Sequence, residues 1–288
     1  MDKATHSPEL EPAPLPPDRT TAHQRVRAAA SVSFKSDRDG TRLDRLYQQG
    51  NAKIRFPRMP DRSKEAVLIN TAGGLTGGDE LDWDIALGPR AKVTATTQAC
   101  EKIYRSAGGA ARIGASISLA PGAQLHWLLQ ETIVFDGSSL SRTLDADLAP
   151  DSRLVAFEAV VLGRLAMAER VSRCALCERW RIRRAGALVH ADDVKLRGPV
   201  GEVEREPALL DAHRAFATLA YLGPDGDDQL AAKADRLRAV ANSPTVGVSA
   251  FAGKIVARFL ARDGYALRQA VVPVLERLCG DLPAVWRI

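Results

Sequence analysis

Leu87-Gly-Pro-Arg-Ala-Lys-Val93, Leu119-Ala-Pro-Gly-Ala-Gln-Leu125 and Leu148-Ala-Pro-Asp-Ser-Arg-Leu154 are one phrase written three times, at spacings of 32 and 29 residues. Each copy opens on a proline-bearing turn and runs into an extended segment, residues 93–98, 125–135 and 154–162. Recurrence at such a period marks supersecondary units that bury their apolar faces by stacking on one another. These units are β, so the expected core is a stack of strand layers, solenoid-like or a sandwich.

Alternation inside the extended segments places charge where apolar side chains belong. By the period of two, Leu125, Trp127, Leu129, Glu131, Ile133 and Phe135 share one face, and Leu154, Ala156, Glu158 and Val160 share the next. If the repeats stack in register, Glu158 lies beside Leu129 and diagonal to Glu131, about 7 Å away. Thr97 takes the place of Leu129 in the first copy. A buried carboxylate costs several kcal/mol unless it is paired or hydrated. These two acids therefore either pair with a nearby Lys102, Arg105 or Arg164, or line a water-filled passage.

Upstream of the repeats lies Asn70-Thr-Ala-Gly73-Gly74-Leu-Thr-Gly77-Gly78-Asp79-Glu80. An apolar run, Ala66-Val-Leu-Ile69, enters it, and Leu81-Asp-Trp-Asp-Ile85 alternates out of it as a second strand. Four glycines in six positions call for a backbone bent through positive φ or pressed against a neighbour. A phosphate loop would need a Lys-Ser/Thr ending and a following helix, and both are missing. No helix N-terminus follows to hold a pyrophosphate either. Asp79 either closes a turn or acts as an acid at the loop exit.

The rest of the chain narrows the class. Its 288 residues and 45% apolar content suit a globular protein with a sizeable core. No stretch approaches the roughly 18 apolar residues of a membrane span, and no apolar signal-peptide core opens the sequence. Residues 1–29 read as a disordered Pro-rich tail (Pro8, Pro12, Pro14, Pro16, Pro17), which leaves 30–288 as the β domain. The net charge is +5. The basic run Arg179-Trp-Arg-Ile-Arg183 puts Trp180 and Ile182 on one strand face and three arginines on the other, a solvated face or a dock for an acidic partner. Nucleic acid is not expected, because no reading helix or stacking motif accompanies the arginines. Cys174 and Cys177 have ligand-like spacing but no second pair, so Cys100, Cys174, Cys177 and Cys279 read as reduced thiols of a cytoplasmic protein. Helical spacing emerges only late, over 229–241 and over 265–279, the second stopping at Gly280 and containing Pro273. Residues 245–260 between them read as strand. The five histidines are scattered, with no ligand spacing, nucleophile elbow or phosphate loop. A non-enzymatic β scaffold follows, the alternative being a β-solenoid hydrolase or isomerase with Glu131 and Glu158 as acid and base.

Several blocks, in order, resemble the urease accessory protein D (UreD, or UreH) family. They are the glycine loop, Thr96-Thr97-Gln-Ala-Cys-Glu-Lys102-Ile-Tyr104-Arg105-Ser106, Trp127-Leu-Leu-Gln-Glu131-Thr-Ile-Val-Phe135, Leu162-Gly163-Arg164 with Glu169, and Leu282-Pro283 with Trp286. Two departures are Phe56-Pro-Arg-Met59, where the family has an aromatic-Tyr-Pro-Glu-Gly block, and Ala284, where it has Arg. The resemblance implies a β-helix-like fold of stacked strand layers with about two C-terminal helices. It also implies a nickel-insertion factor for the urease apoprotein, working beside accessory proteins F and G, with GTP hydrolysis belonging to the last. On that view no cofactor is held tightly. Asp79, Glu131, Glu158 and Asp192 would pass Ni²⁺ as transient oxygen ligands, since a closed Cys/His site would trap it.

Overall fold

The computed structural model describes residues 25–58, 64–164, 167, 169–241 and 243–286. Residues 1–24 and Met59 lie outside the described residues. The first strand opens at Arg27, three positions before the expected domain boundary.

Strand outweighs helix, 54% to 16%. The chain begins with β1 (Arg27–Asp37), β2 (Gly40–Gln49), β3 (Ala52–Arg55) and β4 (Lys64–Asn70). The repeats follow as β5 (Glu80–Leu87), β6 (Lys92–Thr97) and β7 (Glu101–Ile103), then β8 (Ala111–Leu119), β9 (Gln124–Leu128) and β10 (Thr132–Val134), then β11 (Ser139–Leu148) and β12 (Arg153–Leu162). After them come β13 (Arg173–Arg184), β14 (Ala187–Pro199), α1 (Val200–Arg205), β15 (Ala215–Leu222), α2 (Asp227–Ala241), β16 (Val246–Phe251), β17 (Lys254–Ala261) and α3 (Gly264–Cys279).

Each repeated phrase is a corner at which the chain passes from one sheet to the other. β5, β8 and β11 lie side by side in a seven-stranded sheet ordered β14-β13-β11-β8-β5-β1-β2. Their continuations β6, β9 and β12 are neighbours in a facing sheet whose main path runs β16-β17-β15-β12-β9-β6-β4-β3. The pairings repeat the sequence spacing: Leu87 opposes Leu119, which opposes Leu148, and Val93 opposes Leu125, which opposes Leu154. The corners are β-turns with proline second, closed by Ala91 N–H to Gly88 O, Ala123 N–H to Ala120 O and Ser152 N–H to Ala149 O. The result is a two-sheet parallel solenoid of about four turns. Antiparallel strands lie at its ends, β2 and β14 on one sheet, and β3 at one end and β15, β17 and β16 at the other end of the second.

Two apolar cores follow from the alternation. The first lies between the sheets and holds Phe34, Leu81, Ile85, Ile117, Leu125, Leu144, Leu154 and Ile182. Fully burying one such side chain is worth about 1.5–3 kcal/mol. The second lies on the far side of the second sheet, where Leu128, Val155, Phe157, Leu219 and Phe259 meet Leu230, Leu237, Leu267, Val271 and Leu275 of α2 and α3. β12 and β15 are consequently buried almost end to end. Among the described residues, no helix layer covers the outer face of the first sheet. Its outer face is polar, as Ser31, Ser33, Asp82, Asp84 and Ser116 predict.

The expected helices are α2 and α3. Asp263 caps α3 by accepting from Ala266 N at 2.7 Å, Gly280 ends it at φ 77°, and the helix runs through Pro273 without restarting. Residues 245–260 are a hairpin, β16–β17, turned at Ala252-Gly253, both at positive φ. The six-residue α1 was not expected.

Candidate functional site

The inter-sheet core is apolar except around Arg142. Its Nε lies 3.1 Å from Glu158 Oε2, its Nη1 donates to Thr132 Oγ1 at 2.8 Å, and its Nη2 bonds Glu178 Oε1. Trp127 Nε1 donates to Glu158 Oε1 at 3.2 Å and Trp180 Nε1 to Glu158 Oε2 at 2.9 Å. Arg142 on β11 and Glu178 on β13 are register partners in one sheet, and Glu158 reaches them from the other. All three are buried. Burial works against the guanidinium's charge, but the two carboxylates outweigh it and hold its pKa above the usual value. Burial and the Glu158 charge raise the Glu178 pKa despite Arg142. The alternation that singles out Glu158 also singles out these partners: Leu140, Arg142, Leu144 and Ala146 share a face, as do Leu176, Glu178, Trp180 and Ile182. Neither was picked out from the sequence.

Glu158 and Arg142 border a partly open cavity of about 390 Å³, reaching Asn70, Gly73 and Glu101 near the glycine loop. Burial pushes the Glu101 carboxyl up to about 7, although Asn70 Nδ2 donates to it at 3.0 Å. On the other side of Glu158, a small gap of about 10 Å³ is lined by Glu178, Trp180, Asp192 and Thr218. Glu101, Glu158, Glu178 and Asp192 thus form a broken line of carboxylates along the inter-sheet space.

Glu131 does not join that line. Leu128 opposes Phe157 and Thr132 opposes Val160, so three residues stand against two between those pairs. The extra residue flips every following side chain to the other face. Thr132 and Val134 point inward in place of Ile133 and Phe135, and β9 ends before β10 begins. Glu131 lies on the helix side, 3.8 Å from Arg268 Nε on α3, and accepts the Cys100 S–H at 3.5 Å. Burial and the Glu131 charge push that thiol up to about 11. Glu131 and Glu158 thus sit on opposite faces of one sheet, which removes the premise of an acid/base pair. Neither is partnered by Lys102, Arg105 or Arg164; the partners are Arg268 and Arg142.

The remaining candidates have local partners. Asp79 Oδ1 accepts from Val26 N and Oδ2 from Thr76 N, both at 2.8 Å, so its carboxylate ties the glycine loop to the residue that leads into β1. The loop joins the two sheets rather than closing a hairpin. Gly73, Gly74 and Gly78 hold positive φ, while a Cβ on Gly77 would lie 1.9 Å from Ser106 Oγ and 2.4 Å from Gly108 O. Asp192 Oδ1 is 2.6 Å from Arg258 Nη2. Thr97 Oγ1 accepts from Gln130 N at 2.9 Å. The other motif residues gather at one corner. Tyr104 OH donates to Gly73 O at 3.2 Å, and Leu75 N–H to Lys102 O at 2.7 Å. Arg105 pairs with Asp136 at 2.6 Å. Arg164, 4.3 Å from the Phe135 ring centroid, pairs with Glu169 at 2.8 Å beside Gly163 at φ 78°. Cys174 faces the core while Cys177, three residues on, faces outward, so the two thiols cannot share a ligand. Among the described residues, no group of three or more His, Cys, Asp or Glu side chains is placed to hold a metal ion, and no helix is long and apolar enough to cross a membrane.

The fold is a β solenoid, and the two acids that would have made a hydrolase pair are bonded apart inside it, Glu131 to Arg268 and Glu158 to Arg142. The family of UreD urease accessory proteins matches residues 26–287. The urease accessory protein UreD of Agrobacterium fabrum is 44% identical over 267 residues, 92% of each chain. That of Rhizobium rhizogenes is 44% identical over 271 residues, 93% of this chain and 98% of its own. That of Chelativorans is 42% identical over 290 residues, 99% and 100%. The chain belongs to the UreD urease accessory protein family, and its role lies in urease maturation. The relatives' shared name is that of an accessory protein, not of an enzyme.

Proposed function

We propose that this protein assists nickel insertion into the urease apoprotein as a scaffold in a complex with accessory proteins F and G, the nickel being cargo. The match to urease accessory proteins over nearly the whole chain carries this reading. The line of carboxylates Glu101, Glu158, Glu178 and Asp192 supports a finer one, in which Ni²⁺ travels between the sheets on weak oxygen ligands. Around Arg142 two carboxylates face one guanidinium, which leaves the passage acidic when both are ionised. Asp79 and Glu131 belong to that route only if they exchange the partners they now hold.

Co-expression with apo-urease and the other accessory proteins, with and without this chain, tests the role, read as nickel per urease active site. Asp192→Asn tests the route. Asparagine keeps the shape of Asp192, and its partner Arg258 is half exposed, so the guanidinium left behind stays hydrated. Reduced nickel loading by an intact complex supports the passage. Loading at the wild-type level rejects it for Asp192 and leaves an adaptor.

A further inference from the structure

The end of the solenoid away from the N-terminal hairpin holds a feature that folding does not explain. There the outermost strand β14 of one sheet and the hairpin β16–β17 of the other stand apart around a cleft of about 330 Å³. At its base Lys254 is only 7% exposed, yet among the described residues it forms no ion pair. Its Nζ donates to Val189 O at 3.0 Å and lies 4.5 Å from the Phe251 ring centroid. Burial pushes its pKa down, with no neighbouring carboxylate to offset that. Beside it His190, also 7% exposed, has an Nε2 with no hydrogen-bond partner. The acid in the cleft, Asp192, is engaged by Arg258.

A buried cation without a counter-charge is costly, and one carbonyl hydrogen bond and one ring contact offset only part of that cost. Here the cost is borne at an open cleft whose rim is apolar. Leu188 is 54% exposed on one side and Phe251 51% on the other, the latter at the tip of a tight hairpin. An apolar rim around a desolvated charge is how a protein surface anchors a partner's side chain. With Lys254 and Arg258 against Asp192, the cleft carries one positive charge in excess, which selects an anion.

We infer that this cleft is a docking pocket for an acidic side chain of a partner protein, an Asp or Glu flanked by apolar residues, whose carboxylate pairs with Lys254 while its neighbours cover Leu188 and Phe251. The inference rests on the scaffold reading for the partner's identity but not for the chemistry of the cleft.

Two measurements test it. The full chain, alone or co-purified with its accessory partners, is titrated with N-acetyl-Leu-Glu-Leu-amide and with the Leu-Gln-Leu counterpart. The glutamyl peptide binds at least about tenfold tighter, and Lys254→Met abolishes that preference while Lys254→Arg keeps it. Lys254→Met also melts no lower than wild type, because it removes an unpaired buried charge. Indistinguishable Glu and Gln peptides overturn the proposal. Acetate binding as tightly as the peptide makes the cleft a small-anion site and overturns the docking form. In the co-expressed complex, a zero-length carbodiimide cross-linker joins Lys254 to an Asp or Glu of urease or of another accessory protein, located by mass spectrometry. Links only to a second copy of this chain would reassign the cleft to self-association. A complex that assembles equally well with Lys254→Met, without a Lys254 cross-link, rejects the cleft while leaving the scaffold reading intact.

Discussion

Arg142→Met would strand Glu158 and Glu178 in the core without their counter-charge. Breaking a buried pair by removing one partner costs about 3–5 kcal/mol, visible as a lower urea midpoint. Adding Glu158→Gln and Glu178→Gln to that variant should recover part of the loss, because no charge is then left unpaired. A second effect at this scale is a pH dependence. Glu101 titrates at about 7 when folded, against an ordinary value of 4.5, mainly because it is buried. Between those values the folded chain holds a proton that the unfolded chain has released. Its contribution is therefore complete below about 4.5 and lost as pH rises through about 7. Wild type should lose about 2 kcal/mol more than Glu101→Gln between pH 5 and pH 8. Denaturant titrations of both proteins at the two pH values check this, and parallel losses would exclude Glu101 as the cause.

Among the elements, the glycine loop between β4 and β5 makes unequal demands on its glycines. Gly77 is pressed against Ser106 and the carbonyls of Gly108 and Gly109, whereas Gly73 holds positive φ with open space around it. Gly77→Ala forces the 106–109 segment to move. Gly73→Ala costs only backbone strain, about 1 kcal/mol. Thermal melts should rank Gly77→Ala well below Gly73→Ala, and equal melts would mean that the loop yields freely. The strand alternation of β13 makes a further claim. Cys174 faces the core, its thiol pushed up to about 11 by burial, and Cys177 points the other way. Non-reducing peptide mapping after mild oxidation should find no link between them.

For the whole molecule, the helix layer is fastened by the chain end. Trp286 Nε1 donates to Thr96 Oγ1 and Leu128 O, both at 3.3 Å, and its ring meets Phe157 edge-on at 5.5 Å, with Arg268 4.9 Å from its centroid. Trp286→Ala should cost about 3–5 kcal/mol. The helical circular-dichroism signal should then melt ahead of the strand signal, whereas one shared transition would mean that the two cores unfold as a unit.

The repeated Leu-x-Pro phrase determined the solenoid, because its spacing in sequence is the pairing register of both sheets. Period-two alternation likewise determined the polar outer face carrying Arg179 and Arg183, the apolar row holding Trp180, and the presence of a carboxylate at Glu158. It contained Arg142 and Glu178 as well, since each interrupts an apolar row in the same way. The face on which Glu131 lies was decided by tertiary structure. Alternation assumes an unbroken strand, and one residue inserted between Leu128 and Thr132 inverts everything that follows. The partner of each buried acid was decided there too, since Arg142 reaches Glu158 across two sheets and Arg268 reaches Glu131 from the last helix. Pairings of that kind depend on which surfaces the fold brings together, and separation along the chain carries no record of them.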